Sequence, residues 1–256
     1  MPVLSAQQCL MSKNIFLKLQ YDGTNYNGWQ TQNNAVAIQD VVENALSSLL
    51  NSDIELIGCS RTDAGVHALG YCCSFKAETP IPPENIFLAL NSLLPDDIRA
   101  VYSCEKPENF HARYSVKSKT YIYKFYSSLI ENPLLRNSEW NVRSELDLGK
   151  MQDACRGLIG THDFTSFMAM GSYPSTTVRT IFDADVRETV PGHYELFVTG
   201  DGFLYNMVRI IAGTIAACGL SKIDSSSVPE IIESKDRKKA GATAPAHGLY
   251  LFEVNY

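Results

Sequence analysis

Hydrophobic and polar positions change period repeatedly along this chain, and each change marks an element. Residues 15–21, IFLKLQY, alternate as a half-buried strand does, and the pattern stops at Asp22-Gly23. Residues 36–50, VAIQDVVENALSSLL, shift to helical spacing, with Val41, Val42, Ala45, Leu46 and Leu49 on one face. Strands are predicted at 54–59 and 70–76, a helix at 83–93 closed by Pro95, and a strand at 98–104. After Pro107 the order restarts. A long strand is predicted over 114–127, a helix over 148–158, and strands over 178–188 and 194–198. A long helix over 203–218, a short one near 226–234 and a closing strand over 249–254 complete the pattern.

This restart is a structural repeat without sequence repetition, and it implies an α+β fold of two subdomains with mainly antiparallel sheets. Residues 13–107 and 108–256 are the expected N- and C-terminal subdomains, and residues 1–12, MPVLSAQQCLMS, a disordered leader in which Met11 offers an alternative start. If the two sheets join edge to edge, the connection between the strands at 54–59 and 70–76 sits in a central cleft.

Composition bounds the picture further. A chain of 256 residues with 45% hydrophobic content buries one large core or two modest ones. Its 7 cysteines form no Cys-x-x-Cys pair, and adjacent Cys72 and Cys73 face opposite sides of a strand, so reduced thiols in a cytoplasmic protein are expected. No apolar run approaches the roughly 18 residues of a membrane span, and the leader lacks the charged and apolar regions of a signal peptide, so no membrane association is expected.

The formal charge of −6 argues against a whole-surface nucleic-acid binder, which shifts attention to local patches. In residues 111–124, HARYSVKSKTYIYK, the cations Arg113, Lys117, Lys119 and Lys124 stand without an acid and alternate with Tyr114, Tyr121 and Tyr123. Interleaved cations and aromatic rings suit a nucleic-acid groove, with Arg113, Lys117 and Lys119 as candidate phosphate contacts. The run KDRKK, 235–239, is read as a solvated face.

Familiar chemistries are excluded in turn. The 5 histidines have no partner at i+4, and no His-x-Glu with Pro-Cys-x-x-Cys occurs, which removes zinc deaminases. The stretch DGTNYNG, 22–28, lacks the acids and the glycine of a calcium loop, so no metal is expected. There is no Gly-x-Ser-x-Gly, P-loop or Gly-x-Gly-x-x-Gly. What remains is IGCSRTDAGVHA, 57–68, where a cation, an anion, an imidazole and two glycines crowd one connection. Charges set beside a glycine-containing turn are costly to fold around unless the turn presents them to something.

That motif is one of an ordered set: YDGTNYNGWQ (21–30), GCSRTDAGVHALG (58–70), LNSLLPDDI (90–98), FHARYSVKSKTYIY (110–123), GTHDFTSF (160–167), GDGFLYNMVRIIAGT (200–214) and AGATAPAHGLYL (240–251). On these blocks the chain resembles the TruA family of tRNA pseudouridine synthases, over residues 15–256. The resemblance implies the pseudouridine synthase fold and an isomerase acting on uridines 38 to 40 of the tRNA anticodon arm as a homodimer. The reaction breaks the uridine N1–C1′ bond, turns the uracil and joins C5 to C1′; nothing is oxidised and nothing leaves, so no cofactor is implied.

Residue by residue, the resemblance makes Asp63 the essential carboxylate, acting as nucleophile at C1′ or as base at C2′. Arg209 is the cation that keeps it ionised, since an opposite charge nearby lowers an Asp pKa by about 1–3 units. Arg61, on the same side of an extended segment as Asp63, assists base flipping, filling the gap left by the base or holding its phosphate. Tyr121 stacks on the uracil and assists removal of the C5 proton, and Leu251 lines the uracil pocket. Gly65 permits the turn beside Asp63, His67 is read as a structural hydrogen-bonding residue, Asp22 and Asn25 as turn formers, and Tyr123 as core. Ser60 stands where the family commonly has Gly, and the chain is less basic than a tRNA enzyme is expected to be. Two other readings stay open: a noncatalytic RNA-binding or tRNA-folding protein on the same scaffold, and a relative that modifies other RNA uridines. The joint presence of Arg61, Asp63, Tyr121 and Arg209 favours catalysis.

Overall fold

The computed structural model describes residues 11–33 and 35–256, so all but the last two residues of the expected leader lie outside the described residues. The strands are β1 (Lys13–Tyr21), β2 (Ile57–Gly58), β3 (His67–Ala77), β4 (Ile98–Lys106), β5 (Ser118–Ser127), β6 (Trp140–Val142), β7 (Gly160–Asp163), β8 (Val178–Val190), β9 (His193–Gly200) and β10 (Leu249–Asn255). The helices are α1 (Ile38–Leu50), α2 (Ile86–Leu90), α3 (Leu148–Arg156), α4 (Met207–Gly219) and α5 (Val228–Ser234).

Among the described residues, the strands form one 10-stranded sheet in the order β4-β1-β3-β10-β5-β9-β8-β7, with β2 beside β3 and β6 beside β5. Pairing is antiparallel except between β10 and β3 and between β5 and β6. The architecture is α+β. The C-terminal strand β10 closes the sheet centrally: it pairs with β3 at Tyr250↔His67 and Leu251↔Ala68, and with β5 at Leu251↔Tyr121. Strands of the first half thus meet strands of the second through the last strand of the chain.

Alternation decides which face packs. Ile15, Leu17 and Leu19 on β1 lie opposite Phe75, Cys73 and Tyr71 on β3, and all are buried. Ile38, Val42, Ala45 and Leu46 of α1 enter the same core, whereas Val41 and Leu49 are only partly buried. On the other face of β1, Phe16 packs edge-on against Phe110 and Tyr256, and the Asn14 side chain donates to Pro107 O and Phe110 O at 3.0 and 2.9 Å. This smaller cluster anchors the segment that leads into the second half.

Several predicted elements are revised. The strand over 54–59 contracts to β2, because Leu56 N is held by the Glu43 carboxylate at 2.7 Å and Ile54 N by Ser47 Oγ at 3.1 Å, leaving only Ile57 and Gly58 to pair with β3. The helix over 83–93 becomes a 3-10 turn at Pro83–Asn85 followed by α2. The strand expected from residue 114 begins at Ser118, since His111 Nδ1 accepts from the backbone N–H of Arg113 and Tyr114 and winds that segment into a turn. The helix expected from residue 203 begins at Met207, because Asn206 adopts a left-handed conformation, φ 59. The short strands β6 and β7 escaped the pattern; each is only a few residues long and neither alternates over enough positions to register.

Candidate active site

Asp63 lies on the connection from β2 to β3, residues 59–66, and the YDGTNYNGWQ segment forms its floor. Trp29 N donates to Thr62 O at 3.1 Å, Gly65 N to Tyr26 O at 3.3 Å, and Tyr71 Oη to Ser60 O at 2.5 Å; the Tyr21 and Thr62 hydroxyls are 3.0 Å apart. Trp29 stacks on Tyr71 with ring centroids 3.9 Å apart. The two segments touch through backbone at Gly28, whose φ is +85 and where a Cβ would lie 2.3 Å from Thr62 O. Gly65, φ +75, turns the chain back towards β3. The dense bonding fixes the loop that carries the carboxylate.

Arg209 arrives from 146 residues further along the chain, in the first turn of α4, with Nη1 3.5 Å from Asp63 Oδ2. The same Nη1 donates to Asn206 Oδ1 at 2.7 Å, and Nε donates to Ala244 O at 2.8 Å. Helix α4 is pinned against residues 240–244 by backbone proximity: a Cβ on Gly213 would sit 1.8 Å from Ala242 O, and one on Gly241 2.6 Å from Gly213 and Thr214 backbone atoms. Gly241 N donates to Thr214 Oγ1 at 2.9 Å, and Ala244 N to Arg209 O at 3.1 Å.

Arg209 and Arg61 both favour the ionised form of Asp63, yet burial outweighs them and raises its pKa above the ordinary carboxylate value. Arg209 thus acts in the direction expected of it without outweighing burial. The carboxyl side chain is 28% exposed, and the Nη1–Oδ2 contact of 3.5 Å lies at the long end of hydrogen-bond distances.

Tyr121 stands on β5 with its ring edge-on to Phe203, centroids 5.1 Å apart, and its hydroxyl 3.4 Å from Ser60 Oγ. Burial pushes its phenol above the usual tyrosine range, so it stays neutral. Leu251 is its direct cross-strand neighbour and is fully buried, packed beneath the site. Arg61 is exposed, and its side chain makes no hydrogen bond or ion pair among the described residues. His67 Nδ1 accepts from Gly23 N at 3.0 Å and Nε2 lies 3.1 Å from His247 O, which occupies both ring nitrogens structurally. Asp22 Oδ1 accepts from Thr24 N at 2.9 Å, closing the turn expected there, and Tyr123 Oη donates to Pro245 O at 2.8 Å from within the core. A separate cleft of about 560 Å³, lined by Gln20, His67, Tyr250 and Arg136 among others, contains none of Asp63, Tyr121 or Arg209.

A family model described as tRNA pseudouridine synthase matches residues 19–115 and 154–256. The chain belongs to the tRNA pseudouridine synthase family. Among individual relatives, the tRNA pseudouridine synthase A of Acetivibrio thermocellus is 49% identical over 245 residues, covering 95% of this chain and 100% of its own length. That of Clostridium acetobutylicum is 48% identical over 244 residues, with the same coverage, and that of Caldicellulosiruptor bescii 45% over 247 residues, again 95% and 100%.

In this pseudouridine synthase the basic candidates separate by depth. Arg113 and Lys117 are exposed, and Arg113 lies over the Tyr114 ring, 5.8 Å from its centroid. Lys119 is half-buried, on the same face of β5 as Tyr121. Burial lowers its pKa, Cys59 counteracts this, and Arg113 and Arg179 add to the lowering. It is thus a sheltered amine rather than the surface cation expected. Arg179 is a neighbour that sequence reasoning missed; an arginine in an ordinary strand pattern carries no signal until the fold brings it, on β8 beyond β9, near enough to act on Lys119. KDRKK is only partly a solvated face: Lys235 pairs with Asp163 at 2.8 Å, and Arg237 donates to Gly241 O at 2.9 Å and Thr243 Oγ1 at 3.0 Å.

Proposed function

We propose that this protein isomerises uridine to pseudouridine in tRNA, with Asp63 as the reacting carboxylate. The observation that carries the reading is the Asp63–Arg209 pair, with Tyr121 near enough for the Asp63 charge to act on its phenol, the three drawn from separated motifs. The names of the relatives support tRNA as substrate. Either route, attack at C1′ or proton removal at C2′, starts from ionised Asp63, and Arg209 supports that form against burial. Once N1–C1′ breaks and the uracil turns, C5 joins C1′, the C5 proton is lost and N1 gains one, so atoms balance without a cofactor. Tyr121, neutral and backed by Phe203, suits stacking on the uracil and passing on the C5 proton through its hydroxyl.

Arg61, exposed next to Asp63, takes the flipping role, while Leu251, with no accessible surface, supports Tyr121 from the neighbouring strand rather than lining the uracil pocket itself. Arg113 and Lys117 form an exposed cationic rim for phosphates near the flipped base, with half-buried Lys119 and Arg179 behind it. The target is the anticodon arm, nucleotides 38 to 40, and the working form a cytoplasmic homodimer, in which a second copy doubles a sparse basic footprint. Asp63→Asn keeps the shape and removes the carboxylate chemistry. It should bind a tRNA transcript normally and form no pseudouridine in a tritium-release assay; turnover near the wild-type rate would remove Asp63 from the reaction.

A further inference from the structure

Arg209 is held more firmly by two groups outside the Asp63 pair than by Asp63 itself. Its contact with Asp63 Oδ2 is 3.5 Å, whereas its bonds to Asn206 Oδ1 and Ala244 O are 2.7 and 2.8 Å. A long cationic side chain loses rotamer freedom when it is fixed, and these two acceptors supply the fixing before any substrate arrives. Ala244 contributes only a backbone oxygen, so Asn206 is the side chain that sets the guanidinium angle.

Asn206 is unusual in two respects. Its backbone is left-handed, φ 59 and ψ 10, and it precedes α4 without its side chain capping the helix, although Asn is among the best capping residues. Both peculiarities have one explanation. The left-handed turn directs the amide oxygen back along the first helical turn, where it meets Arg209 three residues on rather than a backbone N–H. We propose that Asn206 is a positioning residue that orients the Arg209 guanidinium towards Asp63; this rests on the roles given above to Asp63 and Arg209.

The competing account is that Asn206 serves only to admit a left-handed backbone, and glycine meets that need as well. Asn206→Gly therefore separates the two. The measurements are thermal unfolding, tRNA affinity, and single-turnover pseudouridine formation at saturating tRNA across a pH series. The charged and titratable groups that face Asp63 are Arg209, Arg61 and Tyr121, while Tyr123 and His247 face Arg209.

With the amide gone, Arg209 supports ionised Asp63 less well. Asn206→Gly should unfold at the wild-type temperature, bind tRNA normally, turn over about tenfold more slowly, and show its acid limb at higher pH. Asn206→Asp, nearly isosteric and compatible with the same backbone, adds an anion at Nη1 and should move the acid limb further in the same direction. A wild-type rate and acid limb in Asn206→Gly would overturn the proposal, as would an unmoved limb in Asn206→Asp should the glycine variant fail to fold. Asp63→Asn is measured alongside. If it is inactive while the Asn206 variants behave as wild type, only the positioning role falls; if it is active, the assignment of Asp63 falls instead.

Discussion

Asp63 carries a thermodynamic cost that its neighbours do not cancel. Because burial raises its folded-state pKa above the unfolded value, the ionised form is disfavoured by folding. The sign follows: below the unfolded pKa, about 4, both states are protonated and the penalty is absent, and it grows as pH rises through the folded pKa. Asp63→Asn should therefore unfold at a higher temperature than wild type near neutral pH, with the difference vanishing in acid. A lower unfolding temperature for the variant at neutral pH would show instead that Arg209 dominates the carboxylate. The position of Asp63 was legible from RTDAG; its protonation balance was not, since burial is a property of residues brought from elsewhere.

At the scale of elements, α4 and residues 240–244 act as one unit. Their backbones meet at Gly213 and Gly241, and Arg209 exchanges hydrogen bonds with Ala244 at both its backbone oxygen and its Nε. Gly→Ala in a helix interior is ordinarily stabilising by about 1 kcal/mol. Here the added Cβ would lie 1.8 Å from Ala242 O, a backbone atom that a rotamer change cannot move. Gly213→Ala should therefore destabilise the protein by about 1–3 kcal/mol in chemical denaturation, and slow catalysis by shifting Ala244 away from Arg209. A gain in stability would contradict this packing. The hydrophobic period of α4 announced the helix, whereas its start was set by Asn206, whose left-handed turn leaves no trace in the period.

For the whole molecule, affinity for tRNA has to come from patches, since the net charge is −6. Arg113 and Lys117 are exposed, while Lys119 is sheltered beside Tyr121. Replacing Arg113 and Lys117 together by Gln should reduce the slope of log affinity against log salt by roughly 1.5–2, weaken binding to different tRNAs alike, and leave the saturated single-turnover rate unchanged. An unaltered slope would move the phosphate-binding surface away from residues 111–124.

The sequence by itself determined the α+β class and most strands and helices, and its motifs nominated Asp63, Tyr121 and Arg209 as candidate site residues. Alternation and helical spacing are local consequences of one face being buried, and the motif residues lie in stretches short enough to read directly. Tertiary structure alone decided that β10 enters the middle of the sheet and places Leu251 opposite Tyr121. It also decided that Lys119 is sheltered, that Arg179 joins it, and that Asn206 and Ala244 hold Arg209 more closely than Asp63 does. The reason is physical. Each of these depends on a contact between residues from different elements or on the water such contacts exclude, and neither is encoded in the period of any single segment.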